Sequence, residues 1–144
     1  KNEFAKLKIP YRGKSFFKNN IEEIYQLGRG TIHKNNNFQN FNSYEVECKK
    51  LDDIIKDKEI SFIKIDVEGH ELNVIEGALN IIKKCKPSLL IEIEEKHTKK
   101  PVIETVKYIT NLGYTANYIN NNKVEKIIND EVFLKERNFF FLKK

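Results

Sequence analysis

Within six consecutive residues, Asp66-Val67-Glu68-Gly69-His70-Glu71, the chain carries three carboxylates and an imidazole. Carboxylates so close together repel one another unless a cation, a proton or hydrogen-bond donors compensate, so the cluster points to polar ligand binding or proton transfer. Asp66 can bind a polar ligand or move a proton, and His70 can serve as a base or a ligand. Gly69 allows a sharp turn or a close approach to a ligand. Farther along, Glu92 and Glu94 alternate with Ile91 and Ile93. A plainer reading stands beside each of these. Asp66 can cap a helix, Glu68 and Glu71 can complement a helix dipole, His70 can be a hydrogen-bonded surface side chain, and Glu92 and Glu94 can be solvated strand-end acids. Lys64 can snorkel or pair with one of the acids.

For the acids to act together, secondary structure must deliver them to one rim. Ile60 to Ile65 is mostly apolar and β-branched, as expected of a central strand covered on both faces, and Asp66 stands where it ends. From Glu68 to Lys84, Leu72, Ile75, Leu79 and Ile82 recur at spacings of three and four, which predicts one amphipathic helix. Lys83, Lys84 and Lys86 suit its C-terminal end, and Pro87 forbids continuation. Ser88 to Ile93 is a second buried strand. Two strands joined by such a helix should be parallel, with a right-handed crossover. Ligands of open parallel sheets bind outside the carboxyl ends of the strands, so Asp66, Glu92 and Glu94 are expected to border one crevice.

Elsewhere, residues 1–9 read as a strand ending at Pro10, and residues 11–43 as a loop-rich excursion holding Gly28-Arg29-Gly30 and the polar run 33–37. Gly28-Arg29-Gly30 lacks the preceding buried strand and following helix of a phosphate-binding turn. Ser43 to Lys50 alternates as an exposed strand, and Leu51 to Ile55 forms a single helical turn. Pro101 opens a helix with Val102, Val106 and Ile109 on one side and Gly113 as a left-handed cap. Residues 114–119 and 123–128 flank Asn120-Asn121-Asn122 as a hairpin, and Asn138 to Leu142 is a last apolar strand packed back into the sheet. The predicted class is α/β, the later part of a doubly wound, mainly parallel sheet with an antiparallel C-terminal hairpin.

The length of 144 residues suits one domain or a piece of one, and a start at Lys1 followed almost at once by a strand suggests a fragment. No run approaches the roughly 18 to 20 apolar residues of a membrane-spanning helix. Cys48 and Cys85 lack metal-ligand spacing and read as reduced thiols of a cytoplasmic protein. The net charge of +5 comes from lysines spread along the chain rather than gathered on a face, which argues against a nucleic-acid partner.

The segment Phe62 to Leu72, with its K-I-D-V-E-G-x-E core, the following Ile75-Glu76-Gly77-Ala78, the K-P-x-x-x-x-E-I spacing from Lys86 to Ile93 and the upstream Leu51-Asp52-Asp53 resemble the FkbM family of S-adenosylmethionine-dependent methyltransferases. The resemblance covers about residues 44–142. It implies a Rossmann-like methyltransferase fold, S-adenosyl-L-methionine as cofactor, and methyl transfer to a hydroxyl of a sugar or natural product, so a small-molecule or glycan acceptor is the implied partner. Carried onto this chain, Asp66, Glu68 and His70 become candidate catalytic residues. Glu71, Glu92 and Glu94 become candidate substrate-binding residues, and Asp66 and Gly69 face the cofactor. Residues 1–144 then form a partial methyltransferase domain, with a strand and loop-rich segment at 1–43 and the family-like core at 44–144. The first strand and glycine-rich turn that would hold the cofactor are absent from it. Two other readings remain: a non-catalytic α/β partner or substrate-recognition module, and a metal-dependent hydrolase built on Asp66, Glu68 and His70.

Overall fold

A computed structural model describes residues 3–10, 30–32 and 41–143. The chain divides into two compact units, Lys1–Lys49 and Lys50–Lys144. Most of the expected loop-rich excursion, including the polar run 33–37 and all of Gly28-Arg29-Gly30 except Gly30, lies outside the described residues.

In the first unit, β1 (Glu3–Pro10) and β2 (Phe41–Cys48) pair antiparallel in an unbroken register from Glu3↔Cys48 to Pro10↔Phe41. The second strand thus begins two residues before the expected Ser43. Thr31 adds a bridge to β1, its amide and carbonyl exchanging hydrogen bonds with Lys8 at 3.0 and 2.8 Å. Lys8 Nζ lies 5.3 Å from the centre of the Phe41 ring, within cation–π range.

The second unit runs α1 (Leu51–Ile54), β3 (Phe62–Ile65), α2 (Glu71–Glu76), α3 (Leu79–Cys85), β4 (Ser88–Glu92), α4 (Glu95–Thr98), α5 (Val102–Asn111), β5 (Tyr114–Asn120), β6 (Lys123–Lys126), a 3-10 turn (Asp130–Leu134) and β7 (Asn138–Lys143). Its five strands form one sheet in the order β3-β4-β7-β5-β6. The expected parallel pairing of the two apolar strands is present, with Phe62↔Ser88 through Ile65↔Ile91 in register.

The sheet as a whole is not mainly parallel. Only β3 and β4 pair that way; the β4–β7, β7–β5 and β5–β6 pairings are antiparallel. The cause is the entry of β7 between β4 and β5, which run in the same direction but never meet. A second correction concerns β3. It stands at the edge of the sheet among the described residues, and Phe62 is 51% exposed rather than covered.

The expected single helix over 68–84 is two helices. Gly77 and Ala78 interrupt it, with the Ala78 amide tightening onto the Ile75 carbonyl at 3.1 Å and the Gly77 carbonyl accepting from the Asp52 amide at 2.9 Å. The Asp52 carboxylate then caps the restart, accepting from the amides of Asn80 and Ile81, both at 3.0 Å. This satisfies orphan donors of α3 from a residue in α1. The amphipathic stripe survives the break, and Ile75, Ala78 and Ile82 are all buried.

Alternation assigns the two sheet faces. Ile65, Leu89, Ile91, Tyr114, Ala116, Phe139 and Phe141 point to one side, where they form the core with Ile75, Ile82, Val102, Val106 and Ile109 of the helices. Burial on this side, at roughly 25 cal/mol per Å² of apolar surface, is the main stabilising term. The other side carries Phe62, Leu90, Ile119, Val124, Phe140 and Leu142, and of these Ile119 and Val124 are 46% and 55% exposed. Gly113, at φ +94°, closes α5 as expected, and Asn121 and Asn122, both at positive φ, make the tight turn between β5 and β6. No helix of the described residues is long and apolar enough to cross a membrane.

Candidate functional site

Asp66 follows directly on Ile65 at the carboxyl end of β3. Its side chain is exposed, and Oδ2 lies 3.3 Å from Lys64 Nζ. The backbone beyond it turns through two left-handed residues, Glu68 at φ +48° and Gly69 at φ +101°. Glycine takes this conformation freely, whereas for Glu68 it is strained. The turn is held from the helix side. The Gly69 amide donates to Glu71 Oε1 at 2.8 Å, and Glu71, first residue of α2, is 3% exposed. Glu71 therefore holds the loop rather than lining the open rim. His70 sits at the entrance to α2 with Nδ1 3.3 Å from Asn73 Oδ1.

The neighbouring parallel strand brings up the second acid. Register ends at Ile65↔Ile91, which sets Glu92 beside Asp66 at the same rim. The Glu92 carboxyl is held above the ordinary carboxylate range, first by partial burial and then by the negative charges of Asp66 and Glu94, with Lys64 and Lys96 pulling the other way. Asp66 and Glu92 thus form an acidic pair tempered by Lys64 and Lys96.

Glu94, two residues on, is placed differently. Arg137 Nη1 reaches its Oε1 at 2.7 Å, His97 Nε2 lies 3.2 Å from its Oε2, and Lys96 pairs with the same oxygen. Burial pushes its carboxyl up, but Lys96, then Arg137 and His97, outweigh this and hold it below the usual range. The clamp ties the end of β4 to α4 and to the residue preceding β7. Of the acids singled out from sequence, Asp66 and Glu92 come together at the open rim, while Glu71 and Glu94 are committed to backbone or cationic partners. No three His, Cys, Asp or Glu side chains among the described residues are grouped to hold a metal ion.

Sequence reasoning missed the surroundings of the rim. On the uncovered sheet face, Leu90, Ile119, Glu136, Asn138 and Phe140 line an open pocket of about 350 Å³. Asn138 is the register partner of Glu92, and Phe140 that of Leu90. The alternation Asn138-Phe139-Phe140-Phe141 could have marked Phe140 as pointing away from the core. Nothing local, however, indicates that β7 would lie beside β4.

Compared with known proteins, the chain matches the methyltransferase FkbM domain over residues 6–116. Among solved structures, it is similar to the crystal structure of methyltransferase FkbM from Methylobacillus flagellatus KT, at 25% identity and a TM-score of 0.47, over 67% of this chain and 23% of that one. The chain thus spans about a quarter of that protein's length. No curated protein matches it. With more than half of its length matched, including the Asp66 turn and the Glu92 strand, the chain belongs to the methyltransferase FkbM domain family.

Proposed function

We propose that this chain supplies the acceptor-side wall of an S-adenosylmethionine-dependent methyltransferase that methylates a hydroxyl of a sugar or natural product. The observation that carries the reading is the meeting of Asp66 and Glu92 at the carboxyl ends of two parallel strands, one acid exposed and the other raised above its ordinary value by partial burial and then by its neighbour. Strand directions support a Rossmann-like methyltransferase sheet: β3, β4 and β5 run one way and β7 enters the other way between the last two.

The described residues suit only the charged end of the cofactor. A rim carrying Asp66 and Glu92 complements a sulfonium cation, but no glycine-rich strand-turn-helix for the nucleoside occurs among the described residues. In this reading the chain is part of a methyltransferase domain, and the remainder of the cofactor is held by residues outside those described. When bound, the cofactor supplies an electrophilic methyl group. Asp66 accepts a hydrogen bond from the acceptor hydroxyl, fixes its direction and takes its proton. Glu92 raises the negative potential around that proton, Gly69 lets the backbone come close, and Glu71 keeps the turn in place. The unpaired thiols Cys48 and Cys85 suit a reducing compartment such as the cytoplasm.

The test is release of S-adenosylhomocysteine by the full-length protein given S-adenosylmethionine and a panel of hydroxylated acceptors. Turnover should fall sharply in Asp66→Asn with thermal stability unchanged. Normal turnover in Asp66→Asn combined with Glu68→Gln removes these residues from catalysis, and no turnover with any acceptor favours the non-catalytic recognition module.

A further inference from the structure

We infer that Arg137 is a positioning residue for the acidic rim: gripping the chain just beyond Glu92 with both its backbone and its side chain, it keeps the Glu92 carboxyl beside Asp66. The consequence for turnover rests on the methyltransferase reading, while the placement of Glu92 does not. Three observations carry it.

The first is where the strand ends. Glu92 is the last residue of β4 and α4 begins at Glu95, so only Ile93 and Glu94 separate the rim acid from the change of strand to helix. Strand ends fray unless they are held. Here the hold comes from the residue before β7. The Ile93 amide donates to the Arg137 carbonyl at 2.8 Å, one step past the Glu92↔Asn138 pair, and Arg137 Nη1 reaches Glu94 Oε1 at 2.7 Å. One residue thus grips the two that directly follow Glu92.

The second is what Glu94 does with its carboxylate. It stands at the N-cap of α4, where an acid ordinarily accepts from the first helical amides, yet its side chain makes no such bond. It turns to three cations instead. Lys96 and His97 belong to α4 itself, so they fold the junction onto itself; Arg137 alone among the three comes from beside another strand. Removing the Arg137 guanidinium therefore leaves Glu94 compensated and releases its link to the β7 side.

The third is the force to be resisted. The Glu92 carboxyl is raised first by partial burial and then by the charges of Asp66 and Glu94, against the pull of Lys64 and Lys96. Two like charges side by side separate toward water when the chain allows it. A tie immediately beyond Glu92 opposes that separation.

The experiment follows the side-chain carboxyl carbons of Glu92 and Asp66 by nuclear magnetic resonance in the full-length protein, alone and in variants. Asp66→Asn should lower the titration midpoint of Glu92, which measures how strongly the two acids feel each other. In Arg137→Gln that coupling should shrink by about half or more, and Arg137→Lys, which keeps a cation, should recover part of it. Lys96→Gln, which removes a cation from Glu94 but not the link across elements, should leave the coupling in place. Both Arg137 substitutions keep the carbonyl bond to Ile93, so the fold is retained. In the methyl-transfer assay, Arg137→Gln should lower kcat by about three- to tenfold with KM unchanged, and should cost nothing further in a Glu92→Gln background. A coupling unchanged in Arg137→Gln, an equal loss in Lys96→Gln, or a full Arg137→Gln loss of kcat in the Glu92→Gln background each overturns the assignment. Reduced coupling in a protein that turns over no acceptor supports the positioning and removes the methyltransferase reading. Normal turnover with undiminished coupling in Arg137→Gln overturns the positioning alone.

Discussion

The ends of β3 and β4 carry the same kind of side chain and use it in opposite ways. At the end of β4, Glu94 is 8% exposed in its side chain and clamped by Arg137, Lys96 and His97. One strand over, Asp66 is 44% exposed in its side chain with a single lysine nearby, and its other close neighbour, Glu92, is another acid. Glu94 resembles Asp52, whose two oxygens cap α3, and Glu71, which holds the Gly69 amide. The difference teaches that acid content alone does not mark a site. What separates the groups is whether the protein itself supplies the compensating charge or donors, or leaves them to a ligand.

That contrast can be broken by substitution, and the largest effect is expected at Asp66. Asp66→Asn should lower turnover by about 10²- to 10⁴-fold, the usual contribution of a positioned acid or base, with no change in melting temperature. Equal loss of stability and turnover would place Asp66 with the structural acids. The next effect is reversed in kind. Glu94→Ala should cost about 1–2 kcal/mol in denaturant unfolding, a figure kept modest because Arg137 and Lys96 are 65% and 62% exposed and regain water. Asp52→Ala, which uncaps α3, should cost about 1 kcal/mol and loosen hydrogen-exchange protection at Asn80 and Ile81.

The smallest effect separates Glu92 from Glu94 by pH. The carboxyl of Glu94 lies below its ordinary value of 4.5 in the folded protein, so its contribution is complete above that value and is lost as pH falls through the folded one. Glu92 is raised, so its contribution belongs to the protonated form and is lost as pH rises through the folded value. Glu92→Gln should therefore melt slightly higher than the parent at pH 7, by about 0.5 kcal/mol or less, and Glu94→Gln lower. Both differences should vanish in acid. Melting curves from pH 3 to 8 measure this, and differences of the same sign for the two variants would end the distinction.

The strand, helix, strand unit, the Gly113 cap and the Asn121-Asn122 turn were legible because each rests on local pattern and backbone preference. So was the delivery of Asp66 to the end of a strand. The break at Gly77-Ala78 was not, since the stripe of Leu72, Ile75, Leu79 and Ile82 runs through it and the cap comes from Asp52, far upstream. The 3-10 turn at Asp130–Leu134 was overlooked, although Asn129 announces it: Oδ1 accepts from the Glu131 amide at 2.9 Å. The clamp on Glu94 and the pocket beside Glu92 were invisible for one shared reason. Both depend on β7 lying against β4, and strand order is written in long-range packing rather than in any window of residues.

Strand β7 also governs when the second unit can assemble. Its neighbours β4 and β5 do not touch except through it, and β7 is the last of the five strands to be synthesised. On a translating ribosome, the β3–β4 pair and the β5–β6 hairpin have no strand to join them until Phe139 and Phe141 arrive. Closure of this sheet therefore follows the emergence of β7, and its unjoined halves are natural clients for chaperones.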